Sequence, residues 1–369
     1  MTEVPPDVVA APSLPVPAVL PPGRSPVPPF APVPLVTTRG LLPAAFDLLV
    51  RSGPAMRRAS FYIGAIVLGT VGPLVLGMWA VAVIGMDRPI PAMDAILDSS
   101  GGGMVALLVA VATLGLVVAT VESRTLAAAI LGGVLTGRPV STRQALARSR
   151  RTFWRAVVAS LLVAVPLTVA QSGFDLMVGP LLGRAEEATL LTSTLLTAVV
   201  GAPFAYMLTG VVLGDVDPFE SLKRSFRMFA VRRAAAFVIV LFETAAALLI
   251  LLGLGSGLDV ALRVFDALGL GPDAGPLGVA ITTAGVVAVV FACGTLLFTV
   301  MAVTVAPQVV MFLGLTHATF GLERVLPGGP DDPDRRSPAG GRFRWFTRPM
   351  LVGFVVGAIC LLGLASAYG

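Results

Sequence analysis

Long apolar runs follow one another along most of the chain, separated by shorter stretches that carry nearly all of its charge. Six of these runs have the length, about 20 residues, that a helix needs to cross a bilayer. The pattern therefore predicts an all-α, polytopic membrane bundle with spans near residues 61–85, 104–121, 155–174, 189–213, 234–253 and 279–303. A seventh apolar segment near 350–367 predicts a terminal transmembrane helix.

Two of the predicted spans continue as helix-forming sequence beyond the length that a bilayer requires. Residues 122–136 follow the second span, and residues 304–316 follow the sixth. We therefore expect these two helices to run on past the membrane.

The composition excludes an ordinary soluble protein. Of 369 residues, 56% are hydrophobic and 13% are charged, whereas soluble domains carry about 25% charged residues. In the predicted layout, 23 of the 26 Lys and Arg residues fall on one side, and only Arg88, Arg184 and Arg263 fall on the other. The positive-inside rule then predicts a multi-pass protein of the bacterial inner (plasma) membrane with a cytoplasmic N-terminus. The basic pI of about 10.0 indicates attraction to anionic lipid headgroups, and nucleic-acid binding is not needed to explain it.

A short motif occurs three times, each time on the cytoplasmic side just before an odd-numbered span. The copies are Leu49-Val50-Arg51-Ser52, Leu146-Ala147-Arg148-Ser149 and Leu222-Lys223-Arg224-Ser225. Their spacing predicts three repeat units over residues 41–136, 137–213 and 214–316, each an interfacial helix followed by a two-span hairpin. Repeated hairpins are common in transporters, but they do not prove transport.

The third copy has the strongest amphipathic pattern, with an apolar stripe at helical spacing. The stripe consists of Phe219, Leu222, Phe226 and Phe229. Asp217 and Glu220 predict a capping box at the start of this helix, and Ser141 and Gln144 predict one in the second copy. Such a helix can lie in the headgroup layer with its arginines towards phosphates, or pack on the cytoplasmic ends of other spans, and the pattern fits both.

The ends of the chain differ from its apolar middle. Residues 1–40 are proline-rich, which disfavours helix and predicts a disordered cytoplasmic tail. The six-span membrane domain is predicted over 41–316, a charged cytoplasmic linker over 317–348, and the terminal transmembrane helix over 349–369.

Two stretches carry a resemblance to a known family. They are Gly137-Arg138-Pro139-Val140-Ser141 with Ala145-Leu146, and Pro218-Phe219-Glu220-Ser221-Leu222-Lys223-Arg224-Ser225-Phe226. These stretches resemble bacterial multi-spanning proteins related to the membrane domain of glycerophosphoryl diester phosphodiesterase. The resemblance covers about residues 40–315 and implies a membrane domain without its catalytic domain. The catalytic chemistry of that family uses two histidines and acidic metal ligands, and His317 is the one histidine of this chain.

Few residues offer the chemistry of a site. Glu243 lies near the middle of a predicted span, where a charge is costly, and it predicts an intramembrane polar site facing the bundle interior. That site would be either a proton or cation site, or a hydrogen bond to a neighbouring Ser, Thr or Gln.

Cys293 and Cys360 lie in apolar runs and are expected to be free thiols. Gly353 and Gly357 form a small-residue face that favours helix packing or dimerisation. Three prolines in or beside predicted spans predict kinks: Pro166, Pro203 and Pro307.

These observations predict a class of function and no reaction. One histidine and two cysteines exclude multi-histidine metal sites and disulfide frameworks, and we expect no catalytic residue, metal or cofactor. The leading hypothesis is a non-enzymatic accessory or scaffold module of the bacterial cell envelope. Its expected partners are the lipid bilayer and a membrane protein or a second copy of the chain. The alternative is a transporter or permease subunit for a small or lipid-like solute.

Overall fold

The computed structural model describes residues 33–85, 100–177, 186–267, 275–320 and 348–368. Within these ranges the chain forms helices and no β-strand, which confirms the all-α prediction for this part of the chain. The proline-rich tail up to residue 32 and the linker over 321–347 lie outside the described residues. The α-helices are α1 (Leu41–Thr70), α2 (Gly72–Gly85), α3 (Ser100–Leu135), α4 (Thr142–Met177), α5 (Glu186–Gly201), α6 (Met207–Gly214), α7 (Pro218–Val231), α8 (Arg233–Ala267), α9 (Gly275–Phe320) and α10 (Arg348–Tyr368), with a 3₁₀ turn at Ala202–Phe204 between α5 and α6.

Several of these helices are long and apolar enough to cross a membrane. Four qualify in the described part of the chain: Gly103–Leu135, Thr142–Met177, Leu190–Gly214 and Leu277–Ala318. A fifth consists of α1 with the start of α2, which bend by 49° at their junction. The described part of the chain is therefore a helical membrane bundle with four to five helices of this kind. The fifth predicted segment lies within α8, and the seventh lies within α10.

The interfacial segments of the first two motif copies differ from the prediction of separate helices. The first copy is part of α1, which runs without interruption through 30 residues to Thr70. The second copy is part of α4, which continues for 36 residues, about 54 Å, into the predicted third span. Only α7 is separate, because Arg232 between α7 and α8 leaves the helical conformation at φ −138° and ψ 61°.

The core lies where α3 and α9 extend beyond their predicted spans. Residues 125–133 of α3 and 304–316 of α9 are all buried, and we call this region the packed tier. Alanines at positions 127–129 of α3 have no exposed surface, because their small side chains allow neighbouring helices to approach on every side. The start of α1, the start of α4 and α6 supply the surrounding apolar side chains, among them Leu48, Ala145 and Val212.

The other parts of α3, α4 and α9, together with α5 and α10, expose large apolar side chains. We call them the exposed tier: residues 104–118 of α3, 158–177 of α4, 190–199 of α5, 277–296 of α9 and 351–362 of α10. Leu114 is 65% exposed and Val169 is 67% exposed, as are similar residues on each of these helices. A surface this apolar matches lipid acyl chains and not water.

Glycines set the closest helix contacts. A Cβ added at Gly294 of α9 would lie 2.8 Å from the Cα of Gly64 on α1, so the two backbones meet directly. On α10, a Cβ at Gly353 would lie 2.5 Å from the carbonyl oxygen of Gly69, and one at Gly357 would overlap Pro73 of α2. The predicted small-residue face of α10 therefore packs inside this chain, while dimerisation stays a prediction.

Candidate functional site

The predicted site residue Glu243 lies in a polar cluster that joins three helices. Its carboxylate forms an ion pair with Arg124 of α3, and Gln308 of α9 donates a hydrogen bond to Glu243 Oε2 at 3.0 Å. The side chains of Arg124 and Glu243 are 26% and 25% exposed, whereas Gln308 is buried. A charge in an apolar bundle is stabilised by such pairing. The sequence predicted a hydrogen bond to a Gln as one of two possibilities, but it did not predict the arginine.

A second polar cluster, around Glu122, lies two residues before Arg124 on α3 and was not predicted from the sequence. Tyr62 of α1 donates a hydrogen bond to Glu122 Oε2 at 3.0 Å, and Arg150 of α4 donates one to the Tyr62 hydroxyl at 3.4 Å. Tyr62 has no exposed surface, and Glu122 is 4% exposed. Because residues two apart on a helix point in nearly opposite directions, Glu122 and Arg124 tie α3 to different neighbours. The position of Glu122 and Arg124 at the end of a long apolar run was the sequence signal for these clusters.

Two serines of α7, Ser225 of the third motif copy and Ser221 just before that copy, bond to the region where α5 ends and α6 begins. Ser225 Oγ donates to the carbonyl oxygen of Pro203 at 2.6 Å and accepts from the backbone N–H of Tyr206 at 3.2 Å. Ser221 Oγ donates to the carbonyl oxygen of Met207 at 2.6 Å. Pro203 interrupts the helix, and broken helices at membrane depth persist only where neighbours satisfy the freed backbone groups. Ser225 does so here, and Ser221 adds a bond to the first residue of α6.

The second motif copy bonds to the other end of α6. Arg148, which is 4% exposed, donates to the carbonyl oxygens of Val212 at 2.7 Å and Leu213 at 3.3 Å. These carbonyls belong to the last turn of α6, where no intrahelical donor is available, so the guanidinium caps the helix. The hydroxyl of Ser149 forms a 2.5 Å hydrogen bond with that of Thr125 on α3.

Asp215, directly after α6, is also held by α4. Its backbone is left-handed at φ 49°, a conformation that Asp tolerates better than most residues. Arg151 and Arg155 form ion pairs with its two carboxylate oxygens at 2.6 and 2.7 Å. The arginines near the second motif thus fix the loop that leads into α7.

The first motif copy makes different contacts. Ser52 Oγ donates within α1 to the carbonyl oxygen of Leu49 at 3.0 Å, and Arg51 pairs with Asp47 at 3.0 Å on the surface of the same helix. What the three copies share is a buried serine, because Ser52, Ser149 and Ser225 are 2%, 0% and 1% exposed.

Only half of the apolar stripe of α7 packs against the bundle: Leu222 and Phe229 are partly buried against it. The buried residues of α7 are Pro218, Ser221, Ser225 and Met228, whereas Phe219 is 63% exposed and Phe226 is 45% exposed. The side of α7 that is fully buried is therefore its small and mostly polar side. The reason is that the serines satisfy backbone groups of the α5–α6 break, which phenylalanine cannot do.

One of the two predicted capping boxes is present. At the start of α4, Gln144 Oε1 accepts from the Ser141 N–H at 3.0 Å, and Ser141 Oγ accepts from the Gln144 N–H at 3.3 Å, which confirms that prediction. The prediction for α7 is wrong, because Asp217 makes no capping hydrogen bond through its side chain. Glu220 instead accepts from Arg224 Nε at 3.0 Å, and this contact lowers the pKa of the Glu220 carboxyl.

The other candidate residues do not join these clusters. His317 lies exposed near the end of α9. Cys293 is partly buried, Cys360 is buried, and both thiols are free. Pro166 and Pro307 lie inside continuous helices, whereas Pro203 lies at the break. In the described ranges, no group of three or more His, Cys, Asp or Glu side chains is placed to hold a metal ion.

Comparison of the chain with protein-family models, with curated proteins and with solved structures found no match. The resemblance to the membrane domain of glycerophosphoryl diester phosphodiesterase therefore stays a prediction from the two sequence stretches that carry it.

Proposed function

We propose that this chain is a non-enzymatic integral membrane protein, an accessory or scaffold module of a bacterial cell envelope. One observation carries the proposal: the second and third copies of the motif use their buried polar atoms to join helices. Arg148 caps α6, Ser149 bonds to α3, and Ser225 bonds to the α5–α6 break. Side chains committed to such bonds rigidify a bundle and are not free to act on a substrate.

We further propose a six-span core of three repeat units with α10 as a seventh span. The second motif copy, which lies among basic residues such as Arg151, is at the level of the packed tier because Ser149 bonds to Thr125 there, while the exposed tier presents apolar side chains. By the positive-inside rule, the packed tier lies towards the cytoplasm of a bacterial inner membrane, and the N-terminus is cytoplasmic. A reporter fused after Ala147 should report a cytoplasmic location, and an extracytoplasmic signal would overturn this layout.

The proposed partner surface is the outer face of α10. This helix packs inward through Met350, Gly353 and Gly357, and it exposes Val355 and Ile359 at 57% and 63%. A rigid apolar face of this kind suits either a membrane-protein partner or a second copy of the chain.

In-cell photo-crosslinking from α10 tests the scaffold proposal. A photoreactive residue at Val355 or Ile359 should give one discrete protein adduct, whereas the same residue at the buried Met350 is the matched control and should give none. Lipid adducts alone at both exposed positions, together with solute flux in vesicles containing the purified protein, would overturn the proposal.

The alternative, a transporter or permease subunit, is favoured by the cluster of Arg124, Glu243 and Gln308. Charged groups within apolar helices often mark substrate or ion pathways. Under this hypothesis, Glu243→Gln would abolish flux in reconstituted vesicles while the protein keeps its fold. Equal flux in the wild type and in this variant would exclude Glu243 from any pathway.

A further inference from the structure

The helix α7 has three distinct sides, which differ in how closely they contact the rest of the described chain. Ser221, Ser225 and Met228 face the bundle. Phe219 and Phe226 project from the second side, and Lys223 and Arg227 are exposed on the third. At 100° per residue, the phenylalanine side lies between the serine side and the basic side, so the three follow one another around the helix.

The depth of α7 follows from the backbone that it touches. Ser225 bonds to Pro203 and Tyr206, which lie inside the apolar span Leu190–Gly214. The ring of Phe226 also packs edge-on against Phe204 of the same break, with ring centroids 5.5 Å apart. The phenylalanine side of α7 is therefore level with a segment that is long and apolar enough to cross a membrane.

This side is also continuous with the apolar surface of α4. Leu222 of the phenylalanine stripe packs with a cluster around Ala159, next to Val158 and Leu161, which are 41% and 58% exposed. Four residues before Val158, Trp154 is 76% exposed, as expected for an aromatic ring at a membrane–water interface. The exposed phenylalanines thus extend the lipid-facing surface and do not form an isolated patch.

The charge on the third side selects the lipid. Lys223 and Arg227 are exposed beside the phenylalanine stripe, and Arg233 follows just after α7. An apolar side inserted among acyl chains with a basic side next to it matches an anionic leaflet, where each basic residue near the surface contributes about 1 kcal/mol. A protein partner would have to cover both sides at once.

We propose that α7 is an interfacial helix that inserts Phe219 and Phe226 among the acyl chains of anionic phospholipid and places Lys223 and Arg227 against their headgroups. The lipid is that of the leaflet on the basic side of the bundle. The inference rests on the membrane orientation within the proposed function, but it does not require a scaffold partner.

Probe depth in the full-length protein tests the apolar half of the proposal. Cys293 and Cys360 are first replaced by alanine, and a fluorescent probe is attached to a new cysteine in bilayer nanodiscs of mixed zwitterionic and anionic phospholipid. At Phe226→Cys, a nitroxide on the acyl chain should quench the probe as strongly as at the lipid-facing control Leu161→Cys. At Lys223→Cys, only a nitroxide on the headgroup should quench strongly.

Charge variants test the anionic preference. With the probe at Phe226→Cys, quenching by labelled anionic lipid is compared with quenching by labelled zwitterionic lipid. Lys223→Gln should lower this ratio by up to about fivefold, the factor that corresponds to one basic side chain near the surface. Glu220→Gln is the control of opposite sign and should raise the ratio, because it removes a negative charge from α7.

Two results would overturn the inference. The first is a probe at Phe226→Cys that acyl nitroxides do not quench, because that side would then face water or a bound protein. The second is a ratio of quenching by anionic lipid to quenching by zwitterionic lipid that neither charge variant changes. Failure of the crosslinking experiment on α10 would affect neither measurement, so the two proposals fail separately.

Discussion

Replacing Ser225 by alanine removes the hydroxyl that bonds α7 to the broken helix. Two backbone groups lose this partner, the carbonyl oxygen of Pro203 and the N–H of Tyr206, at a serine that is 1% exposed. Interhelical hydrogen bonds in membranes contribute about 1 kcal/mol each, and a buried group left without a partner costs about 1–3 kcal/mol. We therefore expect Ser225→Ala to lower the free energy of unfolding by about 2 kcal/mol, roughly a thirtyfold change in the folded-to-unfolded ratio.

The assay is unfolding of the detergent-solubilised protein by a denaturing detergent, followed by helical circular dichroism. Ser160→Ala is the matched control, because the Ser160 hydroxyl bonds to the Ala156 carbonyl of its own helix at 2.9 Å and not to another helix among the described residues. That variant should change stability by less than about 0.5 kcal/mol. Equal effects for the two variants would refute the reasoning, because Ser225 would then contribute no more than a serine within one helix.

Three further predictions concern other contacts. Glu243→Gln should cost about 2–3 kcal/mol by leaving the Arg124 charge unpaired, and the Arg124→Met/Glu243→Leu double variant should recover most of it in the same unfolding assay. Gly294→Ala should cost about 1–3 kcal/mol because its Cβ would meet backbone of α1, whereas Gly173→Ala, with open space around it, should be nearly neutral. The hydrogen bond from Arg224 lowers the pKa of the Glu220 carboxyl, so the stabilisation by this carboxylate is present above its unfolded pKa near 4.5 and is lost as the pH falls through the folded pKa. In Arg224→Gln, the pKa of Glu220 measured by carboxyl NMR should rise.

Much of the fold could be predicted from the sequence because its signals are local. Apolar length predicted helices that cross a membrane, and the described helices match the second, third, fourth and sixth predicted spans. The capping box at Ser141 and Gln144 was also predictable, because both partners lie within one helical turn. The extension of α3 and α9 was expected, but its role as the most buried part of the bundle was not.

Part of the candidate site was beyond sequence reasoning because its partners are distant in the chain. Glu243 was singled out as a costly charge, yet Arg124 and Gln308 come from two other helices. Glu122 and Tyr62 are 60 residues apart, and their positions at the ends of apolar runs do not show that the two side chains meet. The same holds for Arg148: the motif fitted both exposure to headgroups and packing on other spans, and only the structure shows that its guanidinium caps α6.

The sequence by itself determined which residues of α7 share a side, because helical periodicity depends only on spacing. Only the tertiary structure decided where each side points. The broken helix at Pro203 needs hydrogen-bond donors and acceptors, so it binds Ser225 and leaves Phe219 and Phe226 outward. In a membrane, lipid is as apolar as a protein core, so hydropathy cannot distinguish a lipid-facing side from a packed one. What separates them is the need of buried backbone groups for partners, and only the tertiary structure shows where those groups lie.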